Sequence, residues 1–327
     1  MHSRRHQPEI GRVSAISAAL PGPLSEPPGT LSAMNEVLIG SEALASGAVT
    51  RYQLSRYRRL LPDVYAPRAA DLTLRDHTVA AWLWSRRRAV VAGSAAAALH
   101  GAQWVDVDEP VELIWTCARP PAGLRVRNET LHPDEITRIG GIPVTSLTRT
   151  AFDLGRHLPR DRAVARLDAL MRATPFRAET VVTMAAEHPG VRGVRRLRRA
   201  LPLVDPGAAS PRETWLRLLL LDAGFPRPTT QIPVVDHTGR LAVLDMGWEE
   251  YKVAAEYDGD QHRTDRRRYV WDQRRARMVA GLGWDAVRVI KEDHPAEVIA
   301  RVEGSLRARG WRGEIAPPQP RNRRLSA

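Results

Sequence analysis

The chain has 327 residues, 43% of them hydrophobic and 26% charged, the make-up of a soluble globular protein with room for two or three domains of about 100 to 200 residues. No apolar run approaches the roughly 20 residues a membrane span needs, and the single cysteine, Cys117, excludes an intrachain disulfide and a multi-cysteine zinc site, as suits a reducing cytoplasm. Basic residues outnumber acidic ones 49 to 37, a net charge of +12 that attracts polyanions and nucleic acid above all. Only Lys252 and Lys291 are lysines, so the arginine excess is also what a GC-rich genome would leave.

Residues 1–33 read as a disordered leader. Their apolar stretch from Val13 to Leu20 is short, rich in Ala and Ser and closed by Pro-Gly-Pro, unlike a signal peptide. Met34 opens the first well-patterned segment and is a candidate translation start. From Glu36 to Pro67 the grammar is helix, turn, helix: Ala43 and Leu44 end one helix, Gly47 turns, and Thr50 caps the next. In "SRYRRLLPDVYAP" a last helix leads into a β-wing. Residues 34–75 then form a winged-helix-like DNA-binding module with Arg51, Arg56, Arg58 and Arg59 near phosphates. A purely structural helical hairpin is the competing reading.

Residues 76–204 read as a mixed α+β domain. Helical patterns at Leu74 to Ser85 and Gly93 to His100 precede the strand-like "VELIWT", "LRVRNET" and "GIPVTS", and three helical stretches follow. The last, "VRGVRRLRRALPLV", sets Arg192, Arg195, Arg196, Arg198 and Arg199 around Val194, Leu197 and Leu201. One stripe packs, and the arginines are left for solvent or a phosphate backbone. "LVDPGAAS" reads as a linker at 205–209. Residues 210–313 run α-β-β-β-α-β-α, an α/β core, and the Pro- and Arg-rich residues 314–327 form a flexible tail.

Chemistry concentrates in "AEYDGDQH", residues 255–262. Alternation along a strand puts Ala254, Glu256 and Asp258 on one face. One strand earlier "RLAVLD" ends on Asp245, and the hairpin through Glu249 and Glu250 brings Asp245 toward Glu256. Acids converging at a sheet rim repel unless a cation or proton lies between them, and such oxygen ligands suit Mg2+. For any one acid the plainer alternative is a surface pair with Arg240, Arg266, Arg267, Arg268 or Arg275, worth about 0–1 kcal/mol. Glu213 follows Ser210 and Pro211 as a capping box, so it caps a helix, supports the acidic site, or does both. Asp272 and Arg275, three apart on a helix, are most simply an intrahelical pair.

An Asp closing one strand, Glu-x-Asp-Gly on the next, a His beyond it and the helical "DQRRARMVAGLGWDAVRVI" resemble the very-short-patch-repair-endonuclease-like branch of the PD-(D/E)XK nuclease superfamily, over about the last third of the chain. The resemblance implies a restriction-endonuclease-like α/β core that hydrolyses phosphodiester bonds with Mg2+. Asp245 and Glu256 are then metal ligands, Asp258 is a further ligand or occupies the position of the superfamily lysine, and His262 is a base or water-positioning group. Glu213 corresponds to a helical acid that reaches the metal site, and Arg275 to a phosphate contact. Asp258 in place of lysine removes a cationic group, so catalysis leans on the metal and His262.

The phrases "SGAVTRYQL", "DVYAP", "AGSAAAALHG" and "GIPVTSLTRTAFDL", in that order, resemble the AbiEi-type proteins of abortive-infection toxin–antitoxin systems. That resemblance implies a DNA-binding winged-helix start and a partner toxin. The joint expectation is a cytoplasmic, Mg2+-dependent DNA endonuclease or nickase of repair or phage defence. Its rival is a non-enzymatic DNA-binding regulator of AbiEi antitoxin type with a degenerate nuclease fold.

Overall fold

In the computed structural model, which describes residues 37–117, 119–259 and 266–315 (without the side chains of 266–269), the chain opens with β1 (Leu38–Ile39) running into α1 (Gly40–Ala45). Gly47 turns the chain at φ 73°. Thr50 then opens α2 (Arg51–Leu54) with a complete capping box: its hydroxyl accepts from the Gln53 N–H at 3.1 Å, and its own N–H donates to Gln53 Oε1 at 2.8 Å. The helix expected in "SRYRR" is a strand instead. Tyr57–Leu61 forms β2 and pairs antiparallel with β3 (Val64–Pro67), completing a sheet of order β1-β3-β2. The Pro62-Asp63 turn, with Asp63 at φ 60°, folds the segment back at once and buries Leu61 beside Val64, which a helix ending there would leave apart.

The middle of the chain contributes α3 (Leu74–Trp84), β4 (Val90–Ala92), α4 (Gly93–Leu99), β5 (Val111–Ile114), β6 (Leu124–Arg127), β7 (Ile136–Ile139) and β8 (Ile142–Thr145). The five strands form a mixed sheet of order β6-β5-β4-β8-β7. Its central strand has three residues, with Val91 and Ala92 buried. Four helices follow: α5 (Leu147–His157), α6 (Arg160–Ala173), α7 (Ala178–Glu187) and α8 (Val194–Ala200). They enclose Phe152, Leu154, Leu167, Leu170 and Leu197 in a core that Ala97 of α4 also joins.

The remainder is α9 (Pro211–Asp222), β9 (Thr229–Val235), β10 (Leu241–Trp248), β11 (Val253–Tyr257), α10 (Arg266–Gly281), β12 (Asp285–Val289) and α11 (Pro295–Ala308), the α-β-β-β-α-β-α order expected from the sequence. The sheet order is β12-β11-β10-β9, with β11 and β12 parallel and the other pairs antiparallel. α9 and α11 cover one face through Leu216, Leu220, Val298 and Val302, and α10 covers the other through Val279. The protein is a mixed α/β fold, and among the described residues no helix is long and apolar enough to cross a membrane.

The Pro-Gly-Ala stretch read as a linker is tied down along its length. The Asp205 N–H donates to Asp168 Oδ1 at 2.8 Å, Thr230 Oγ1 donates to Asp205 Oδ1 at 2.9 Å, and Trp104 Nε1 donates to the Ala209 carbonyl at 2.9 Å. Arg217 of α9, fully buried, pairs with Asp168 of α6 at 2.6 Å. A free linker would leave these backbone groups to water; here they are answered by the elements on either side, and all described residues belong to one compact unit, Asn35–Ala327.

Candidate active site

β9 and β10 pair in constant register from Thr229–Gly247 to Val235–Leu241, with one rung missing: Gln231 and Asp245 face each other without a ladder bond. Gln231 has φ 52°, a conformation that costs a side-chain-bearing residue on the order of 1–2 kcal/mol. The side chains change face at this point. Leu244 and Ala242 pack under α10 with Ile232 and Val234, whereas Met246 and Trp248, in step with them along the strand, pack against α9 and α11. Regular alternation would keep all four on one side. Asp245 therefore stands where the sheet turns over.

On its other side β10 pairs with β11, Met246 against Ala255 and Trp248 against Val253, so the next rung outward sets Asp245 opposite Glu256, as the hairpin spacing predicts. Asp245 Oδ2 accepts the Tyr257 N–H at 2.8 Å. Its carboxyl is pushed up to about 7, first by burial and next by the charge of Glu213, with Glu256 adding to the repulsion; the Tyr257 N–H and Arg275 work against the rise. Glu213, buried at the start of α9, is both cap and neighbour. It receives Ser210 Oγ at 3.0 Å, the Ala209 N–H at 2.8 Å and Gln231 Nε2 at 3.4 Å, while its own N–H donates to Ser210 Oγ. Burial also raises its pKa.

Glu256 is buried but not open. Arg275 of α10 donates Nη1 to Glu256 Oε2 at 3.0 Å and Nη2 to Oε1, and Nη2 also reaches the Val243 carbonyl at 2.5 Å. The expected Asp272–Arg275 pair gives way to Glu256, a buried carboxylate that takes both guanidinium nitrogens, while the half-buried Asp272 acts on Arg275 only through its charge. Asp258 lies one residue past β11, exposed, with its N–H on the Val289 carbonyl. His262 falls outside the described residues, as do the side chains of Arg266, Arg267 and Arg268. Gln231 is absent from the sequence-derived candidates; a polar residue inside "TTQIPVV" was its only trace.

Among the described residues, one trio places a ligand atom from each member within 4.8 Å of the others, and it lies elsewhere: Glu129, Asp153 and His157 of the middle region. Those acids are already answered. Arg149 reaches Glu129, Glu135 and Asp153 at 2.7, 2.8 and 3.0 Å, and Arg156 joins Asp153 and Glu129. Burial alone would raise Glu129, but the His157 hydrogen bond and the charges of Arg156, His157 and Arg149 bring it down to about 2. It is a buried ion-pair network, saturated with guanidinium.

The arginines expected on DNA sit at the opposite end of the sequence. Arg51 is exposed at the first position of α2, Arg56 lies over the exposed Tyr52 ring at 5.4 Å, and Arg58 and Arg59 project from β2, Arg58 Nη2 donating to the Ala70 carbonyl at 2.7 Å. Corrected from helix to strand, Arg58 and Arg59 lie on opposite sides of the wing.

These features define an α/β protein whose C-terminal mixed sheet carries an acidic rim between α9, β10 and β11, and whose chain begins with a small sheet and two short helices. The chain belongs to the family that includes two Mycobacterium tuberculosis proteins, Uncharacterized protein Rv2248 of strain ATCC 25618 / H37Rv and Uncharacterized protein MT2308 of strain CDC 1551 / Oshkosh. Each is 31% identical to it over 269 residues, covering 80% of this chain and 93% of the relative. No family model matches the chain, and no solved structure matches it.

Proposed function

We propose that the protein is a divalent-cation-dependent DNA endonuclease or nickase with Mg2+ as the natural ion, its reaction centred on Asp245 and Glu256. The observation that carries this reading is the buried Asp245 of β10 lying in the field of Glu213 of α9 and Glu256 of β11, with Arg275 paired to Glu256 and Arg172 acting on Glu213. A buried carboxylate held between two others binds either a proton or a cation, and oxygen donors of this kind fit Mg2+. Asp245 and Glu256 would hold the ion, with the exposed Asp258 as a further donor at the strand end.

When bound, the ion would supply an activated water and offset charge on the phosphate. The chain's own residues do the rest. The Tyr257 N–H fixes the Asp245 carboxylate, and Glu213, itself clamped by the cap at Ser210, raises its need for a cation. Arg275 now pairs with Glu256; with a cation held at Glu256 its forked guanidinium would be free to take a phosphate. Arg51, Arg56, Arg58 and Arg59 hold the duplex through its backbone.

A specific observation favours the second reading, a DNA-binding regulator of antitoxin type that serves a partner toxin: Glu256 is already neutralised by Arg275, and under the nuclease resemblance an Asp258 at the lysine position would lack that cationic group. One experiment separates the two. Nicking of supercoiled plasmid is measured against Mg2+ and Mn2+ for the unaltered chain and Asp245→Asn. The endonuclease reading expects metal-dependent nicking that the variant loses while it still binds DNA. Equal traces for both proteins on plasmid, mismatched and single-stranded DNA would leave the regulator.

A further inference from the structure

Several surface arginines elsewhere meet carboxylates, as Arg87 does with Glu42, Arg160 with Asp222 and Arg301 with Asp293, while others such as Arg51, Arg240, Arg274 and Arg309 stand singly without an ion pair among the described residues. The helix α8 and its approach differ. Arg192, Arg195, Arg196, Arg198 and Arg199 are all exposed, and among the described residues none makes an ion pair or a side-chain hydrogen bond. Like charges three and four residues apart on a helix repel one another. What holds the segment is its other side, where Leu197 and Ala200 are fully buried against α5 and α6.

The mount is tight. Leu197 rests on Gly155 of α5, where any Cβ would overlap it, and Gly193, at φ 94°, lies against the Arg156 carbonyl with no space for a side chain. The arginine row is thus carried on a fixed backbone. Taking Leu197 as the inward direction, Arg195 and Arg199 point most nearly outward, with Arg196 and Arg198 on the two flanks. The apolar residues of α8 turn inward, so the face offers none of the aromatic or aliphatic anchors on which protein interfaces concentrate their energy. A sugar–phosphate backbone needs no such anchor, and guanidinium forks match its oxygens.

We propose that this face is a second nucleic-acid contact, separate from Arg51, Arg56, Arg58 and Arg59, which grips the phosphate backbone without reading bases. The proposal rests on the chain being a DNA-binding protein but not on its being a nuclease. It assigns a role to a row of like charges that the fold does not need for its own stability.

The test measures DNA affinity of the full chain by fluorescence anisotropy in EDTA, on two unrelated duplexes of about 30 base pairs, across a salt series. The combined variant Arg195→Gln, Arg196→Gln, Arg198→Gln and Arg199→Gln should flatten the slope of log affinity against log salt by about 3.6, near 0.9 per phosphate contact, and weaken both duplexes about tenfold or more. The corresponding four Arg→Lys substitutions should restore most of the slope. An unchanged slope with an unchanged thermal midpoint overturns the proposal. Should the fourfold variant fail to fold, Arg195→Gln with Arg199→Gln serves instead, with an expected flattening of about 2. Loss of binding to poly-glutamate but not to DNA would assign the face to an acidic protein and overturn the proposal. If the unaltered chain binds no DNA, both the patch and the proposed function fail. If it binds and only the Arg51, Arg58 and Arg59 variants weaken it, the patch alone fails.

Discussion

Arg275 holds both carboxylate oxygens of Glu256 and, with the same Nη2, the carbonyl of Val243 on the neighbouring strand. One side chain thereby neutralises an acid of the rim and closes a backbone acceptor of β10. Removing it leaves a buried carboxylate uncompensated, a change that typically costs about 3–5 kcal/mol. Arg275→Ala should therefore unfold at clearly lower urea in EDTA. Under the endonuclease reading, about 10 mM Mg2+ should return on the order of 1–2 kcal/mol to this variant, because the freed Glu256 becomes a ligand. A midpoint that ignores Mg2+ would count against a cation at this rim.

Asp245 makes the pH dependence of stability readable. Its carboxyl titrates near about 7 in the folded chain, against about 3.9 when unfolded. Between those values the folded state binds the extra proton, so the contribution of this group is greatest below about pH 4, declines as pH rises to about 7, and is flat above. Asp245→Asn keeps an acceptor for the Tyr257 N–H and removes the titration. The variant should match the unaltered chain below about pH 4 and exceed it at pH 8 by roughly 4 kcal/mol in urea unfolding. A variant less stable at pH 8 would show that the Asp245 carboxylate is compensated in some way other than by a proton.

The order of elements in the C-terminal sheet was legible because each strand there has at least five residues and is bounded by glycine or a charged turn. The central strand β4 was not. Its three residues run straight into α4, so no period-2 signal accumulates before the helix begins. β2 was missed for a related reason: "SRYRR" has helix-forming side chains, and its strand state depends on pairing with β3 across the Pro62-Asp63 turn, a tertiary effect that local propensity does not carry. At the rim, the hairpin spacing puts Asp245 on the rung next to Glu256, and Arg275, one of the arginines the sequence offers as a plainer partner for a single acid, pairs with Glu256 in preference to Asp272. Arg275 is 19 residues away in sequence and one helix away in space, and Asp272 looked nearer on paper. The face change at Gln231 has no sequence signature at all, since it appears only when the packing of Leu244 is compared with that of Met246.

Gln231 supplies a test of that face change. Its positive φ is strained for any residue with a Cβ, and its side chain donates weakly to Glu213. Gln231→Gly and Gln231→Ala both delete the amide, but only glycine accepts the backbone without strain. Gln231→Gly should be the more stable of the two by about 1 kcal/mol, measured by thermal or urea unfolding. Equal stability would mean that the strand is regular at this position and that Asp245 owes its place to something else.

The pair of Asp168 and Arg217 joins α6 to α9 behind the stretch once read as a linker. Asp168 accepts from the Asp205 N–H, Thr214 Oγ1 and Arg217 Nη2, and Arg217 Nη1 donates to the Leu203 carbonyl at 2.6 Å, while Arg217 Nε is buried without a partner among the described residues. Burial pushes the Asp168 carboxyl up to about 6, against the pull of Arg217 and of the donors around it. Two buried charges of this kind give little net stability together and cost a great deal singly. Asp168→Asn or Arg217→Met alone should lower stability by about 3–5 kcal/mol, whereas Asp168→Asn combined with Arg217→Met should cost well under the sum, a coupling visible in a double-mutant cycle. The single variants should also speed hydrogen exchange at the amides of Asp205, Gly207 and Ala209. The last of these donates to Glu213, so loosening at the α6–α9 junction should reach the acidic rim as a lower Asp245 titration point. Additive losses in the cycle would mean that the two side chains act independently and that the junction is held by apolar packing instead.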